Sequence, residues 1–287
     1  MHILVADPWD EYELIDSGHG RRLERFGKYR LSRPDPQAIW QPLLAESEWQ
    51  RADATFVDES RNRGRWDMKV QLPHAWPLTF NGIVMHAKLT PFKHTGIFPE
   101  QRANWQWLSE QLQGATPSTK VLNLFGYTGI ASLVAAKAGA HVTHVDASRP
   151  TIGWARENQA LSGLTDKPIR WILDDALKFI EREERRGIRY DGILMDPPVI
   201  GHGPNGEPWD FGKDFPYLLE ACRKILVPQP KFILINAYAI SASAIMLENM
   251  LADLKLGGTI DAGELVIKHT NSERLLSTGL FARWSQN

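Results

Sequence analysis

The amino-acid sequence predicts an α/β protein built on a doubly wound, mostly parallel seven-stranded sheet, with a small β-rich domain at its N-terminus. Three observations support this fold class. From residue 120 onward, apolar runs of strand length alternate five times with helical patterns, which indicates parallel strands with helices on both faces of the sheet. The chain then continues into two strand-like runs with no helix between them. Residues 1–98 are rich in proline and glycine, which favour short strands and turns over long helices.

The N-terminal region, residues 1–98, is predicted to form a separate domain or lid. Apolar and polar residues alternate from Trp66 to Leu72, which indicates a half-buried strand. Asn81-Gly82 lies in the middle of the next apolar run and predicts a hairpin with a tight turn. Apolar residues then recur at helical spacing, so a helix is expected to open the second domain, residues 99–287.

The second domain alternates strands and helices in chain order. The predicted strands are Val121–Leu124, His141–Val145, Arg170–Leu173, Asp191–Met195 and Phe232–Asn236. The helices that follow them are predicted near Ile130–Ala138, Thr151–Leu161, Ala176–Arg186, Phe215–Ile225 and Ala242–Leu254. Thr259–His269 and Arg274–Trp284 are separated only by a short polar turn, so they are expected to pair as an antiparallel hairpin at one sheet edge.

Composition restricts the class of protein. The chain has 287 residues, of which 43% are hydrophobic and 23% charged, as is ordinary for a soluble globular protein. It contains no run of about 18 apolar residues, so no membrane span is expected, and its start lacks the pattern of a secretory signal. The single cysteine, Cys222, excludes an intramolecular disulfide and a cysteine-rich metal site, and it fits a reducing cytoplasm.

Charge gives no simple indication of nucleic-acid binding. The net charge is −1, whereas proteins held to nucleic acid mainly by phosphate contacts are strongly basic. Positive charge is concentrated in two local groups. The first is Arg21, Arg22, Arg25, Lys28, Arg30 and Arg33, and the second is Arg61, Arg63 and Arg65. Either group could contact RNA, and the alternative is a solvated face whose arginines pair with Glu24 or Asp35.

Three strand ends between Lys120 and Pro198 predict one ligand site, because ligands bind outside the carboxyl ends of parallel strands. The first strand end is the turn Phe125-Gly126-Tyr127-Thr128-Gly129, which leads into a helix and allows a ligand to approach the backbone. The second is Asp146, which follows Gly126 by about 20 residues, as expected of a carboxylate that bonds ribose hydroxyls. Its alternative role is to cap the next helix.

Asp174-Asp175-Ala176, which ends the predicted strand Arg170–Leu173, adds two carboxylates to this site. A carboxylate there could accept a hydrogen bond from an adenine amine, and we favour Asp175 over Asp174, with capping of the following helix as the alternative. The turn at Gly126 has GxxG spacing, whereas a dinucleotide enzyme would have GxGxxG. Both NAD and S-adenosylmethionine (SAM) contain a ribose. These residues therefore leave open an NAD-type oxidoreductase, a SAM enzyme or a silent nucleotide-binding module.

The third of the three strand ends is Asp196-Pro197-Pro198, which follows the fourth predicted strand. The two prolines fix φ and remove two N–H donors, which leaves carbonyl groups and the Asp196 carboxylate to face the cleft from a rigid turn. Such acceptors suit a base whose amine or ring nitrogen must be oriented toward a methyl donor, with Asp196 as the orienting group or proton acceptor. The alternative is a plain turn that ends the strand. This motif favours SAM over NAD.

Together these motifs resemble those of class I SAM-dependent methyltransferases, which have a Rossmann-like fold, and within them the bacterial large-subunit rRNA methyltransferases related to the cytosine-5 enzymes. The resemblance covers about Pro91–Trp284. It rests on residues 123–129, Asp146-Ala147-Ser148, Ala155–Asn158, Asp174-Asp175-Ala176, Asp196-Pro197-Pro198 and the upstream element Lys93–Arg102. The resemblance implies SAM as cofactor and ribosomal or another structured RNA as partner. It places Phe98, Gln101 and Arg102 near SAM, with Phe125–Gly129, Asp146, Ser148, Asp175 and Ala176.

The chain departs from the cytosine-5 relatives at one position that matters for the chemistry. Those relatives have a cysteine after the fifth strand, and its thiolate adds to the ring. In the segment Ile235–Ala239 of this chain, Tyr238 stands where that sulfur would be. Cys222 is predicted to be a buried residue of a helix. We therefore expect direct transfer to a base nitrogen, which needs no covalent intermediate.

The acceptor is less well defined than the cofactor. No RNA-binding domain of the PUA type is evident in residues 1–98. Trp209, Phe211 and Phe215 follow the Asp-Pro-Pro motif and, with Tyr238, are candidates to contact a flipped-out base. The alternative is that the three loop aromatics close the loop as a small apolar cluster. No metal is expected, and a small molecule or a protein is the alternative acceptor.

Overall fold

The computed structural model describes residues 2–60, 63–238, 240 and 242–286. Its contacts divide the chain into two compact units. The larger unit contains Met1–Leu4, Asn104–Leu265 and Gly279–Asn287, and the smaller unit contains Val5–Ala103 and Val266–Thr278. The sequence predicted domains at 1–98 and 99–287, without the return of residues 266–278 to the smaller unit.

The strands and helices follow one another along most of the chain. In chain order the strands are β1 (His2–Val5), β2 (Tyr12–Gly18), β3 (Arg21–Phe26), β4 (Tyr29–Pro34), β5 (Ala54–Ser60), β6 (Arg63–Met68), β7 (Trp76–Phe80), β8 (Ile83–Ala87), β9 (Lys120–Leu124), β10 (His141–Asp146), β11 (Ile169–Leu173), β12 (Gly192–Met195), β13 (Ile200–His202), β14 (Pro208–Asp210), β15 (Phe232–Ala237), β16 (Thr259–Lys268) and β17 (Leu275–Ser285). The helices are α1 (Glu46–Trp49), α2 (Arg102–Gln111), α3 (Ile130–Lys137), α4 (Arg149–Leu161), α5 (Ala176–Arg185), α6 (Phe211–Lys224) and α7 (Ala244–Asp253), with a 3-10 turn at Pro99–Gln101 before α2.

The smaller unit is built mainly from antiparallel strands. Its five-stranded sheet has the order β2-β3-β4-β5-β6, and β7 and β8 form a separate hairpin. This hairpin confirms the predicted tight turn, because Asn81 and Gly82 both have positive φ, as a type I′ turn requires. The strand predicted at Trp66–Leu72 ends earlier, at Met68, where its ladder with β5 ends.

The larger unit contains an eight-stranded sheet in the order β1-β16-β17-β15-β12-β9-β10-β11. Strands β15, β12, β9, β10 and β11 are parallel neighbours, and β17 runs antiparallel to β15. The predicted doubly wound, mostly parallel sheet is confirmed. The additional strand is β1, whose four residues are mostly exposed and therefore lack the alternation that marks a half-buried strand.

Helices cover both faces of this sheet. Apolar residues of α5, α6 and α7 share one core with strand residues such as Ile193 and Ile235. Helices α2, α3 and α4 lie on the opposite face. Three side-chain hydrogen bonds join them to the strands, namely Asn104 to Asn236, Ser132 to His144 and Gln159 to Trp171.

The parallel strands are in register at their carboxyl ends. Met195 of β12 lies beside Leu124 of β9 and Ile235 of β15, and Leu124 lies beside Val145 of β10. The next residues along these strands are Asp196, Phe125, Asn236 and Asp146. The predicted motifs therefore reach one edge of the sheet at the same level.

Candidate active site

The turn after β9 has a compact backbone that is fastened to the neighbouring strand. Phe125, Tyr127 and Gly129 have φ values of 55°, 51° and 81°, a left-handed conformation that is uncommon for residues other than glycine. Gly126 N donates to the Val145 carbonyl at 3.1 Å, and Gly129 N donates to the Gly126 carbonyl at 3.0 Å. The turn therefore brings the start of α3 to the sheet edge.

Both glycines of this turn are required by close packing. A Cβ atom on Gly126 would lie 2.4 Å from the His144 imidazole, and one on Gly129 would lie 2.7 Å from the Ala155 Cβ. His144 is fully buried, and burial lowers its pKa to about 3, so the ring is neutral. Its Nδ1 lies 3.0 Å from the Ser132 hydroxyl. The turn after β9 therefore packs directly against the neutral His144 ring.

Asp146 at the end of β10 binds the same turn. Its Oδ2 accepts from Tyr127 N at 2.8 Å, and its Oδ1 accepts from Ser148 N at 2.8 Å and from the Thr151 hydroxyl at 2.9 Å. The N-cap of α4 is Ser148, so Asp146 supports the start of that helix without capping it. A carboxylate has about four acceptor positions, which leaves capacity for one further bond.

The acidic pair at the end of β11 is also engaged by the protein. Asp175 is the N-cap of α5, and its Oδ1 accepts from Lys178 N at 3.0 Å. Asp174 accepts from Asp175 N and forms an ion pair with Arg182. Ala176 is the buried first residue of α5. The capping alternative is therefore observed for Asp175, and it uses one of the two carboxylate oxygens, so the contact with adenine stays a prediction.

Asp196-Pro197-Pro198 lies between β12 and the β13–β14 hairpin. Asp196 is half-buried, Pro197 is buried and Pro198 is exposed. The Trp209 indole N–H donates to the Pro198 carbonyl at 2.7 Å, and its ring packs on Phe125 with centroids 5.0 Å apart. The proline turn is thus fastened to the turn after β9.

The predicted loop after the Asp-Pro-Pro motif contains regular secondary structure. It contains the β13–β14 hairpin, and α6 begins at Phe211 because the Asp210 side chain accepts from Gly212 N at that point. Trp209 and Phe211 are each 6% exposed and Phe215 is 0% exposed. The structure therefore shows the apolar-cluster alternative for these rings, and a base could stack on them only if the cluster opened.

The only thiol of the sequence lies in the core. Cys222 of α6 is 0% exposed, and burial raises the pKa of its thiol well above the usual value. Three residues later, the Ile225 carbonyl accepts from Tyr190 N, which precedes β12. Cys222 therefore lies toward the amino end of β12, whereas Asp196 follows its carboxyl end. This confirms the prediction that Cys222 is a buried helix residue.

Four other predicted site residues lie outside the strand ends described above. Tyr238 follows β15 and is half-buried, and Ala239 of the same segment is outside the described residues. Phe98, Gln101 and Arg102 belong to the smaller unit. There the ring of Phe98 packs against His94, and the Arg102 guanidinium donates to the carbonyls of Asp7 and Pro8. Their contact with SAM stays a prediction.

Two arginines of the first predicted basic group, Arg22 and Arg33, do not lie on a solvated face. Arg33 binds Glu24 through Nε at 2.5 Å and Nη2 at 2.9 Å, and Arg22 Nη1 lies 3.7 Å from Asp35. All four residues are buried, so the predicted partners are correct but the pairs lie in the interior of the smaller unit. In the second group, the exposed residues are Arg63 and Arg65, and Arg61 is outside the described residues.

The described part of the chain shows neither a metal-binding group nor a membrane-spanning helix. Among these residues, no group of three or more histidine, cysteine, aspartate or glutamate side chains could hold a metal ion. None of the described helices is both long and apolar enough to cross a membrane.

Sequence reasoning missed two polar networks on the face covered by α2, α3 and α4. In the first, Asn123 donates to Ser132, which bonds His144 beneath the turn after β9. In the second, Arg283 donates to Asn104, and Asn104 donates to Asn236 at the end of β15. The members of the second network are 132 and 179 residues apart in the chain, so no local pattern connects them.

The parallel sheet, the glycine turn and the acidic strand ends define a protein that binds a nucleoside-containing cofactor at the carboxyl edge. Residues 61–254 match the model of the S-adenosylmethionine-dependent methyltransferase family, and the chain belongs to this family. The crystal structure of the SAM-dependent methyltransferase from Agrobacterium tumefaciens is similar over 100% of this chain and 94% of that chain, with 47% identity and a TM-score of 0.95. The predicted enzyme class and its cofactor, SAM, are confirmed.

Two further similarities are more distant. The fold resembles that of SMU.776, whose crystal structure contains S-adenosylhomocysteine (SAH), with a TM-score of 0.67 and 19% identity over 92% of this chain and 71% of that chain. The ribosomal RNA large subunit methyltransferase K/L of Shewanella frigidimarina is 34% identical over 157 residues, which are 54% of this chain and 21% of that protein. The match thus spans about a fifth of that relative's length.

Proposed function

We propose that this SAM-dependent methyltransferase acts in the cytoplasm and transfers a methyl group to a nitrogen of a base in ribosomal or other structured RNA. The observation that carries the choice of nitrogen is the position of Cys222, the only cysteine of the sequence. Methylation of cytosine carbon 5 needs a thiolate that adds to the ring, and this thiol is buried and held in its neutral form. The name of the Shewanella relative supports RNA as the acceptor.

The carboxyl edge of the sheet offers groups that fit three parts of SAM. The amides at the start of α3, after Gly129, suit the methionine carboxylate, because helix N-termini bind anions. Asp146 has an acceptor position left for a ribose hydroxyl, and the second oxygen of Asp175 suits the adenine amine. When bound, SAM supplies the methyl group on an electrophilic sulfonium. We assign these three contacts as a proposal.

Asp196 is the proposed group for the acceptor. The acceptor nitrogen attacks the methyl group with its lone pair. The nitrogen then carries a positive charge and must release a proton. A carboxylate held on the rigid Asp196-Pro197-Pro198 turn can accept that N–H, which orients the lone pair and stabilises the positive charge that develops on the nitrogen. The half-buried position of Asp196 suits a group that meets a substrate at the sheet edge.

A small molecule or a protein is the second candidate acceptor. The net charge of −1 and the burial of Arg22 and Arg33 favour it, because neither provides a large basic surface. Salt separates the two candidates. RNA binding through phosphates weakens steeply as the salt concentration rises, so affinity for ribosomal RNA that does not depend on salt would support the second candidate.

Mass spectrometry of rRNA nucleosides tests the proposal. rRNA from cells that lack this protein should lose one N-methylated nucleoside, and a plasmid carrying the wild-type sequence should restore it. A plasmid carrying Asp196→Asn should not restore it. Identical nucleoside profiles with and without the protein would contradict rRNA as the substrate, and loss of 5-methylcytidine would contradict nitrogen as the target.

A further inference from the structure

Asn104, Asn236 and Arg283 form a buried hydrogen-bond relay in the larger unit. These three residues are only 1%, 8% and 6% exposed, in that order. Arg283 donates to Asn104 Oδ1 through Nε at 3.0 Å and Nη2 at 2.6 Å, and Asn104 Nδ2 donates to Asn236 Oδ1 at 2.7 Å. The guanidinium lies 5.1 Å from the ring centroids of both Trp107 and Phe281. These two rings hold it in place.

The relay fixes the orientation of the Asn104 and Asn236 side-chain amides, that is, the positions of their oxygen and nitrogen atoms. A guanidinium only donates, so the atom of Asn104 that receives two of its N–H groups must be the oxygen. The other end of Asn104 is therefore the NH₂ group, and the atom of Asn236 that it faces must be an oxygen as well. The nitrogen of Asn236 is thereby directed away from the relay. Neither amide can be reversed without losing a hydrogen bond.

Arg283 keeps this role at neutral pH. Burial lowers the pKa of its guanidinium to about 10, against the opposing effects of Asp261 and Glu110. The group is therefore still protonated near pH 7. A buried hydrogen-bond network of this kind specifies one arrangement of its members.

The last member of the relay lies next to the acceptor side of the site. Met195 and Ile235 are partners in the parallel ladder between β12 and β15, so Asp196 and Asn236 are the next residues of adjacent strands. Adjacent strands are about 4.8 Å apart. The two residues are therefore neighbours at the sheet edge, where Asn236 carries an NH₂ donor and Asp196 carries a carboxylate acceptor.

The amide nitrogen of Asn236 is able to bind a substrate. Within the described part of the chain, it donates no hydrogen bond, and it is not one of the buried polar atoms that lack a partner. It therefore keeps contact with solvent, although the residue as a whole is 8% exposed. A donor in this position can bond a ligand without breaking the relay.

We propose that Asn236 is a specificity residue, whose NH₂ group donates to an acceptor atom of the target base next to the nitrogen that is methylated. Asp196 accepts from that nitrogen, so the two residues together recognise a neighbouring donor and acceptor on one edge of the base. Asn104 and Arg283 are positioning residues, because they fix the polarity of the Asn236 amide. The inference rests on the proposed methylation of a base nitrogen in RNA.

Two substitutions test this assignment with little change in side-chain volume. Asn236→Asp keeps an oxygen for Asn104 to donate to, but it replaces the NH₂ donor by an acceptor. Asn104→Asp leaves Asn236 unchanged. Its carboxylate still accepts from Arg283, but its second oxygen then faces Asn236, whose amide must reverse to donate and so presents its oxygen to the edge. Gln106→Glu is the matched control, because Gln106 is an exposed residue of the same helix.

The measurement is methyl transfer from radiolabelled SAM to total rRNA purified from cells that lack this protein, together with calorimetric SAM binding and thermal unfolding. Both substitutions should lower kcat/KM for rRNA by roughly 10- to 100-fold, as expected when a donor in the site is lost or reversed. SAM affinity should stay unchanged, and the control should match the wild type.

Wild-type rates for both variants would overturn the inference while leaving the proposed function intact. Equal losses of SAM binding and methyl transfer, or loss of folding in both variants, would show that the relay is only structural and would also overturn it. Absence of transfer by the wild-type enzyme would contradict the proposed function itself, and the role of Asn236 would fail with it.

Discussion

The two halves of the carboxyl edge differ in what their polar groups bind. At the ends of β10 and β11, Asp146, Asp174 and Asp175 all bond the protein's own turns and helix starts. At the ends of β12 and β15, Asp196 is held on a proline turn, and Asn236 is held through its oxygen alone. The ends of β10 and β11, which are the half proposed to bind SAM (the cofactor half), are therefore bonded within the fold. The ends of β12 and β15, which are the half proposed to bind the acceptor (the acceptor half), keep the NH₂ group of Asn236 for a substrate.

Asp196→Asn should break the acceptor half most strongly. The amide has the same size and keeps one acceptor oxygen, but it cannot take a proton, so methyl transfer to rRNA should fall by about 10³-fold. SAM affinity, measured by calorimetry, should not change. A parallel loss of SAM affinity would instead place Asp196 in the cofactor half.

Asp146→Ala should break the cofactor half with the next largest effect. It removes the acceptor of three hydrogen bonds and the proposed ribose contact, so SAM affinity should fall by about 10²-fold. Asp191→Ala is the control, because it removes a carboxylate that accepts from Lys120 N before β12, away from the carboxyl ends of the strands, and should cost only about 1 kcal/mol of unfolding free energy. SAM affinity in Asp146→Ala equal to that of the control would contradict the assignment.

Gly126→Ala should destabilise the cofactor half, because it disturbs the packing of the turn after β9 against His144. The added Cβ would lie 2.4 Å from the His144 ring, so the free energy of unfolding should fall by about 1–3 kcal/mol. Gly153 of α4 has no neighbouring atom within 4 Å of such a Cβ, so Gly153→Ala should instead gain about 0.5–1 kcal/mol. Urea unfolding measures both, and equal changes would contradict the packing argument.

His144 should make the cofactor half sensitive to acid. Its folded-state pKa of about 3 lies below the ordinary value of 6.5, so the unfolded chain binds a proton first as the pH falls. The stabilisation is present above about pH 6.5 and is lost toward about pH 3, at up to about 1.4 kcal/mol per pH unit. His144→Asn should reduce the dependence of the unfolding free energy on pH, measured by urea unfolding from pH 7 to pH 5. An unchanged pH dependence would contradict this role of His144.

The strand ends of the cofactor half were largely predictable from sequence because their signals are local. Apolar runs bounded by Gly126, Asp146 and Asp175 mark the strand ends, and the parallel sheet brings such ends together. The polar relay was not predictable, because α2, β15 and β17 contribute one residue each from distant parts of the chain. Buried Arg22 and Arg33 were also missed, since charged residues on a strand normally indicate a solvated face.

The chemistry of the acceptor half also predicts which change has the smallest effect. Cys222→Ala removes the only thiol, but the side chain lies in the core between α6 and the sheet. It should leave methyl transfer unchanged and lower the free energy of unfolding by about 1 kcal/mol. Thermal unfolding and the rRNA methylation assay together check this expectation.

The most direct test of the account is the rRNA nucleoside profile of cells in which Cys222→Ala or Asp196→Asn replaces the wild-type sequence. We predict that one N-methylated nucleoside persists with Cys222→Ala and disappears with Asp196→Asn. A nucleoside that disappears with Cys222→Ala and persists with Asp196→Asn would contradict the thiol-free transfer to nitrogen.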